Sequence, residues 1–248
     1  MLSGGRDSTA MVFKMIEEGY PLTDVLFANT QSEFPQMYDY IDLVRCRLAE
    51  YGIELQQLEH KRGDCFEDWV FGQVTSGPRK GMVRGLPMVT QPCYWKREAK
   101  VRPFEYFIKQ NGIANYTQYV GYTASEKERA KVKDPRQRYP LIELKMCEAD
   151  VDRYLERIDL VNPLYKWFSR TGCYFCPYQQ LRGFYVLWKK YPDQWAYMRF
   201  LEDVLNTMSS VVNPQWNVRY SMQEMEEAFI SGTKLLEVEA PIACECGN

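Results

Sequence analysis

Six consecutive residues near the start of the chain, Ser3-Gly4-Gly5-Arg6-Asp7-Ser8, combine the groups that an anion-binding loop needs. Adjacent glycines let backbone N–H groups turn inward and approach a negative charge closely. The apolar run that follows predicts a helix whose N-terminus points at the same place. Ser3 and Ser8 offer hydroxyl donors, Arg6 a positive charge, and Asp7 either a ligand for Mg2+ or a helix cap. The same residues also describe a Gly-Gly turn in which Ser and Asp merely cap a helix. The loop lacks the Lys-[Ser/Thr] pair of a Walker A motif, which excludes an ordinary P-loop NTPase.

A second group with chemical potential is Cys173-Tyr174-Phe175-Cys176. Two-residue spacing lets both sulfurs face one metal ion or cluster. Reduced, partly buried thiols around a tight turn are the alternative. The chain ends in Cys244-Glu245-Cys246-Gly247-Asn248, which with Cys173 and Cys176 would complete a structural zinc site. Cys46 lies at core-like spacing on a predicted helix, and Cys65 and Cys147 have no partner motif, so these three are expected to be structural. His60 is the only histidine and is expected on a surface loop. Catalysis by a Ser–His or Cys–His pair is therefore discounted.

The 248 residues carry 46% hydrophobic and 26% charged side chains and a net charge of −2, the profile of a globular domain with a small appendage. No apolar stretch approaches the ~20 residues of a membrane span. The N-terminus reads as a motif instead of a secretory signal, so a cytoplasmic protein is expected, and with it thiols kept free of disulfides. Any nucleic-acid contact must rest on a local basic segment, for which 125–138, with six basic and three acidic residues, is the candidate.

These groups need elements to position them. Periodicity and capping residues predict a helix over 7–18, a buried strand over 24–29, a helix from Pro35 to about Gly52 and a strand over 53–59. Further on, they predict a short helix near 66–72, a helix from about 96 to Gly112, a strand over 117–122, a helix after Cys147 and an aromatic-rich helical stretch broken near Pro192. Loop, helix, strand, helix, strand in that order means an α/β fold with a parallel sheet. No strand rhythm is visible beyond about 160. The expected division is a nucleotide-binding α/β domain over 1–160 and a small helical subdomain over 161–248.

Five segments together resemble one family. "SGGRDST" is similar to the signature loop of the PP-loop ATP pyrophosphatases, or adenine nucleotide alpha hydrolases. "FANTQSEFP", "KREAKVRPF", "YVGYTASEKER" and "NPLYKWFSRTGCYFCP" resemble, in order, the further motifs of its phosphoadenylyl-sulfate (PAPS) reductase-like branch. The resemblance spans residues 3–178. It implies a Rossmann-like parallel sheet flanked by helices. It also implies that Ser3, Gly4, Gly5, Arg6, Asp7 and Ser8 hold a nucleotide's phosphates, with Arg6 and Asp7 acting in catalysis. Asn29 and Thr30 would sit by the adenosine, and Gly121, Glu126 and Arg129 near the same mouth.

The chain departs from the family at Asn29, where an Asp is usual, around Ser32, where a glycine is missing, and at Thr123, where Arg is common. Relatives carry an apolar strand just before the loop; here only Met1 and Leu2 precede it, so either the chain start was set too late or the central strand is reduced to a stub. Cys93 is the implied third ligand, with Cys173 and Cys176, of a [4Fe–4S] cluster, zinc being the other metal. The resemblance implies an enzyme that splits ATP with Mg2+ into AMP and pyrophosphate. That reaction would adenylylate an acceptor, a nucleic acid among the candidates, for sulfur transfer from a donor protein. The competing implication is a reductase of PAPS or adenylyl sulfate, with Cys246 as nucleophile and a thiol protein as reductant. A non-catalytic nucleotide- or nucleic-acid-binding protein is the third.

Overall fold

A computed structural model describes residues 1–60, 66–88, 93–130 and 134–235. The predicted opening order is present. Helix α1 (Arg6–Glu17) leads to strand β1 (Val25–Ala28), helix α2 (Pro35–Ala49) and strand β2 (Leu55–Leu58). β1 and β2 pair in parallel, Val25 against Leu55 through Ala28 against Leu58. Every residue of β1 is buried, as expected of a parallel strand covered on both faces. On its other side Leu2 forms a parallel bridge to Phe27, with its N–H donating to the Leu26 carbonyl at 2.8 Å. Leu2, 1% exposed, delivers the chain directly into the Ser3–Ser8 loop.

α2 buries Met37, Tyr40, Ile41, Val44 and Leu48, the stripe of a one-sided amphipathic helix. Cys46 falls on the opposite face and is exposed, which corrects the expectation of a core position. Next come α3 (Phe66–Phe71), β3 (Val83–Gly85) and α4 (Tyr94–Lys96), which runs through a π turn at Arg97–Val101 into α5 (Arg102–Gln110). Pro103 has no N–H to donate to the Ala99 carbonyl, so regular α-helical bonding is interrupted there. The short strands β4 (Gln118–Tyr119) and β5 (Gln137–Arg138) pair in parallel. They are followed by α6 (Pro140–Glu143) and α7 (Glu148–Arg157), both packed on α1.

Beyond a 3-10 turn at Pro163–Lys166, which packs against α2, helices α8 (Leu181–Lys190) and α9 (Pro192–Asn206) meet near Pro192 as predicted. The absence of strands past 160 is corrected: β6 (Val211–Asn213) pairs in parallel with β3, and α10 (Met222–Ser231) follows. The buried side chains form a continuous cluster that includes Phe27, Phe34, Phe175, Phe184 and Trp216. Of the aromatic residues of 165–197, Phe168, Phe175, Phe184, Tyr191 and Trp195 belong to it and Tyr174, Trp188 and Tyr197 pack against it, while Trp167 and Tyr185 stay partly exposed. Glu202 is 1% exposed, yet its carboxylate accepts the N–H groups of Trp216 and Met222 and so fixes the chain between β6 and α10. No helix among the described residues is long and apolar enough to cross a membrane.

Candidate functional site

The loop is braced from within. Ser8 Oγ accepts the Ser3 N–H at 3.0 Å, lies 2.9 Å from Ser3 Oγ and donates to the Gly5 carbonyl at 2.9 Å. The two hydroxyls expected to face an anion therefore also hold the loop's shape. Gly4 has a positive φ of 75°, and its carbonyl accepts from Asn162 Nδ2 at 2.8 Å. Gly5 occupies the N-cap position of α1, and no side chain caps the helix there. The N–H groups of Asp7 and Ser8 belong to the first turn, where a helix has no intrahelical acceptors to offer. The Arg6 N–H alone is taken, by Tyr165 Oη at 3.1 Å. Gly121 packs so close that a Cβ there would lie 3.2 Å from the Asp7 carbonyl and the Ser8 nitrogen.

Ser3, Gly5, Asp7 and Ser8 line a cavity of about 410 Å3, within the usual size of small-molecule sites. Gly121, Glu126 and Arg129 line the same cavity. Thr123 and Glu126 cap the 3-10 turn Ala124–Glu126 reciprocally, while Arg129 pairs with Glu126 and lies over the Tyr122 ring at 4.5 Å. Lys96, Lys100 and Arg170 also reach the cavity, so four cations face two carboxylates, Asp7 and Glu126. That balance favours a polyanionic ligand.

Arg6 is placed differently from its expected role. Its guanidinium bonds Glu148 at 2.8 Å and Asp152 at 3.3 Å on α7, and it lines a neighbouring cavity of about 550 Å3. Positive charge in this cavity comes instead from Lys96, Lys100, Arg129 and Arg170. Asn29 and Thr30 stand at the carboxyl end of β1 but do not line the cavity. Asn29 Oδ1 accepts from the Gln31 N–H and from Tyr38 Oη, and buried Thr30 donates to Glu33 at 3.0 Å.

Asp7 is held well above the ordinary carboxylate range, to about 6, first by burial; Arg6 opposes this and Glu126 adds to it. Its Oδ1 is buried without a hydrogen-bond partner. A folded-state value above the unfolded one means that the native protein binds the extra proton. The contribution to stability is then full below pH ~4 and is lost as pH rises through about 6. In urea titrations across that window, Asp7→Asn is expected to lose less stability on raising the pH than the wild type. Parallel pH profiles for the two proteins would refute the assignment.

Cys93, Cys173 and Cys176 all line the cavity, and the Cys176 N–H closes a turn onto the Cys173 carbonyl at 3.0 Å. Burial pushes all three thiols up, Cys176 to about 11, and Glu33 adds to the effect at Cys173. Among the described residues no three His, Cys, Asp or Glu side chains converge closely enough to hold a metal ion. Cys93, Cys173 and Cys176 therefore share a wall without converging on a three-group metal site, while the zinc set that adds Cys244 and Cys246 lies outside the described residues. Cys65, Cys244 and the expected nucleophile Cys246 lie outside the described residues.

Two features were missed by sequence reasoning. Lys100 Nζ lies 3.5 Å from Glu33 Oε1, whose side chain is fully buried. Burial works against the ammonium, yet Glu33 and then Cys173 hold it well above the usual lysine value. Lys100 stood in a quoted motif, but its partner lies far away in sequence. His60 is largely buried and 3.6 Å from Glu98, which corrects its expected surface position.

No protein-family model matches the chain, and no curated protein matches it. Among solved structures, a phosphoadenylyl-sulfate (PAPS) reductase from Candida auris, solved as a phosphate complex, is 20% identical with a TM-score of 0.46. The match covers 68% of this chain and 77% of that one.

Proposed function

We propose that this protein binds an adenine nucleotide in the cavity beneath the Ser3–Ser8 loop and splits ATP between its α- and β-phosphates. The observation that carries the reading is the uncapped N-terminus of α1 opening into a cavity with four cations and two carboxylates. The helix end and the N–H groups of Asp7 and Ser8 favour negative charge at one point. An acceptor oxygen attacks the α-phosphorus, the bond to the β-phosphate oxygen breaks, and pyrophosphate leaves. Charge on that leaving group is what Lys100, Arg129 and Arg170 are placed to stabilise. Asp7, whose buried Oδ1 has no hydrogen bond and only a 3.7 Å ion pair to Arg6, suits Mg2+ held jointly with the phosphates, where the ion would screen the charge that develops.

The adenylylated acceptor is then open to a sulfur nucleophile brought by a donor protein, with AMP as the leaving group. A nucleic acid is the acceptor class that we favour. The cysteines on the cavity wall need no metal for this scheme, and no step is assigned to one. The rival is reduction of a sulfonucleotide through Cys246 with a thiol protein as reductant. The intact Ser-Gly-Gly-x-Asp-Ser loop favours ATP.

Product analysis separates these readings. Purified protein with ATP, Mg2+ and single-stranded nucleic acid is expected to release pyrophosphate and to consume ATP in step with acceptor modification. Sulfite released from PAPS or adenylyl sulfate, with no pyrophosphate from ATP, would overturn the proposal in favour of the reductase. Tight nucleotide binding without turnover of either substrate would reduce the protein to a binding module.

A further inference from the structure

A larger cavity, of about 800 Å3, lies on the far side of Trp95, a residue that lines both it and the nucleotide-sized cavity. Four aromatic side chains contribute to its wall: Trp69, Tyr94, Trp95 and Tyr106. Tyr94 is 55% exposed, and the Trp69 and Trp95 rings lie 5.9 Å apart. Arg79, Arg84 and Arg102 line the same space. Of its carboxylates, Glu98 is already engaged by Arg102 and approached by His60, which leaves Asp68 opposite Arg79 and Arg84. Arg84 donates to the Trp69 carbonyl at 3.3 Å, so a cation is pinned beside the rings. Trp95 is 3% exposed, and its Nε1 is buried without a hydrogen-bond partner among the described residues.

A ligand suited to this wall offers a flat π-face, a negative charge a few ångströms away and a hydrogen-bond acceptor. An unpaired nucleotide has all three, and stacking on aromatic rings beside arginine is how single strands are held without base pairing. A duplex keeps its base faces covered and cannot use the rings.

We propose that this second cavity takes an unpaired nucleotide of a single-stranded nucleic acid, with its base against Tyr94 and Trp69 and its phosphate toward Arg79. Its role as the acceptor subsite rests on the ATP-splitting reading above; binding of the strand does not. The shared wall at Trp95 brings the two ligands to opposite sides of one side chain.

The test uses the full chain and a fluorescently labelled single-stranded oligonucleotide, with a duplex of the same sequence and free AMP as competitors. The single strand is expected to bind more tightly than the duplex and to resist displacement by AMP. Tyr94→Ala is expected to weaken binding about five- to hundredfold. Arg79→Glu is expected to weaken it and to flatten its salt dependence. Neither variant should alter binding of a non-hydrolysable ATP analogue, which reports on the other cavity and shows that the fold is intact. Unchanged oligonucleotide affinity in both variants, equal binding of duplex, or full displacement by AMP at the oligonucleotide's own concentration would overturn the proposal. If the analogue fails to bind while the oligonucleotide result holds, it is the ATP reading that fails.

Discussion

Gly4→Ala is expected to cost the protein both stability and its nucleotide site. The backbone there has φ of 75°, a region in which a Cβ is strained by about 1–2 kcal/mol. The added methyl would also lie 2.3 Å from Met37 Sδ and 3.1 Å from its Cε. Met37 is fully buried in α2 and has little room to yield, so an overpacking cost of about 1–3 kcal/mol is added. The cheapest relief is movement of the Gly4 peptide itself. That movement would pull its carbonyl from Asn162 and shift the N-terminus of α1, where the phosphates are proposed to sit. A lower urea midpoint and at least a tenfold loss of ATP-analogue affinity are the expected readouts. Wild-type stability and affinity in Gly4→Ala would show that the loop tolerates another shape.

The second large effect is expected at Lys100→Met. The ammonium is the ion-pair partner of Glu33, whose side chain is fully buried, accepts from Thr30 and leaves Oε2 without a hydrogen bond among the described residues. Removing one member of such a pair leaves an uncompensated charge in the interior, at about 3–5 kcal/mol. Lys100→Met combined with Glu33→Gln removes both charges and should recover much of that loss. Chemical denaturation of the two variants measures the difference directly. Equal destabilisation in the single and double variants would mean that Lys100 acts through packing alone.

Which parts of this molecule are legible in its sequence follows from how local the determining interactions are. The Ser3–Ser8 loop, α1, β1, α2 and β2 are each set by residues within a few positions of one another, and periodicity finds them. The pairing of β3 with β6 is invisible because each strand is three residues long and without alternation. Their match exists only once the fold brings residues 83 and 211 together. Side-chain direction is equally hidden. Arg6 has the right charge in the right motif, yet Glu148 and Asp152 on a distant helix draw it to the other side of Tyr165. The Lys100–Glu33 pair, buried His60 and exposed Cys46 belong with it, since each depends on what packs opposite. The family resemblance implied a metal held by Cys93, Cys173 and Cys176; the three thiols line one cavity, and no three-group metal cluster forms among the described residues.

The β3–β6 pairing also bears on the order in which the chain can fold. β1 and β2 are joined by one helix, so they can associate as soon as that helix is made, with little loop entropy to overcome. β3 must wait for a partner on the far side of α8 and α9, and contacts of that separation close slowly. During synthesis the edge of β3 stays without its partner while the half that carries the Ser3–Ser8 loop is already assembling. The rings of Phe66, Phe175 and Trp216, drawn from three distant parts of the sequence, stack against one another only after that wait ends. The interior seam between the two cavities is therefore among the last parts of the molecule to solidify.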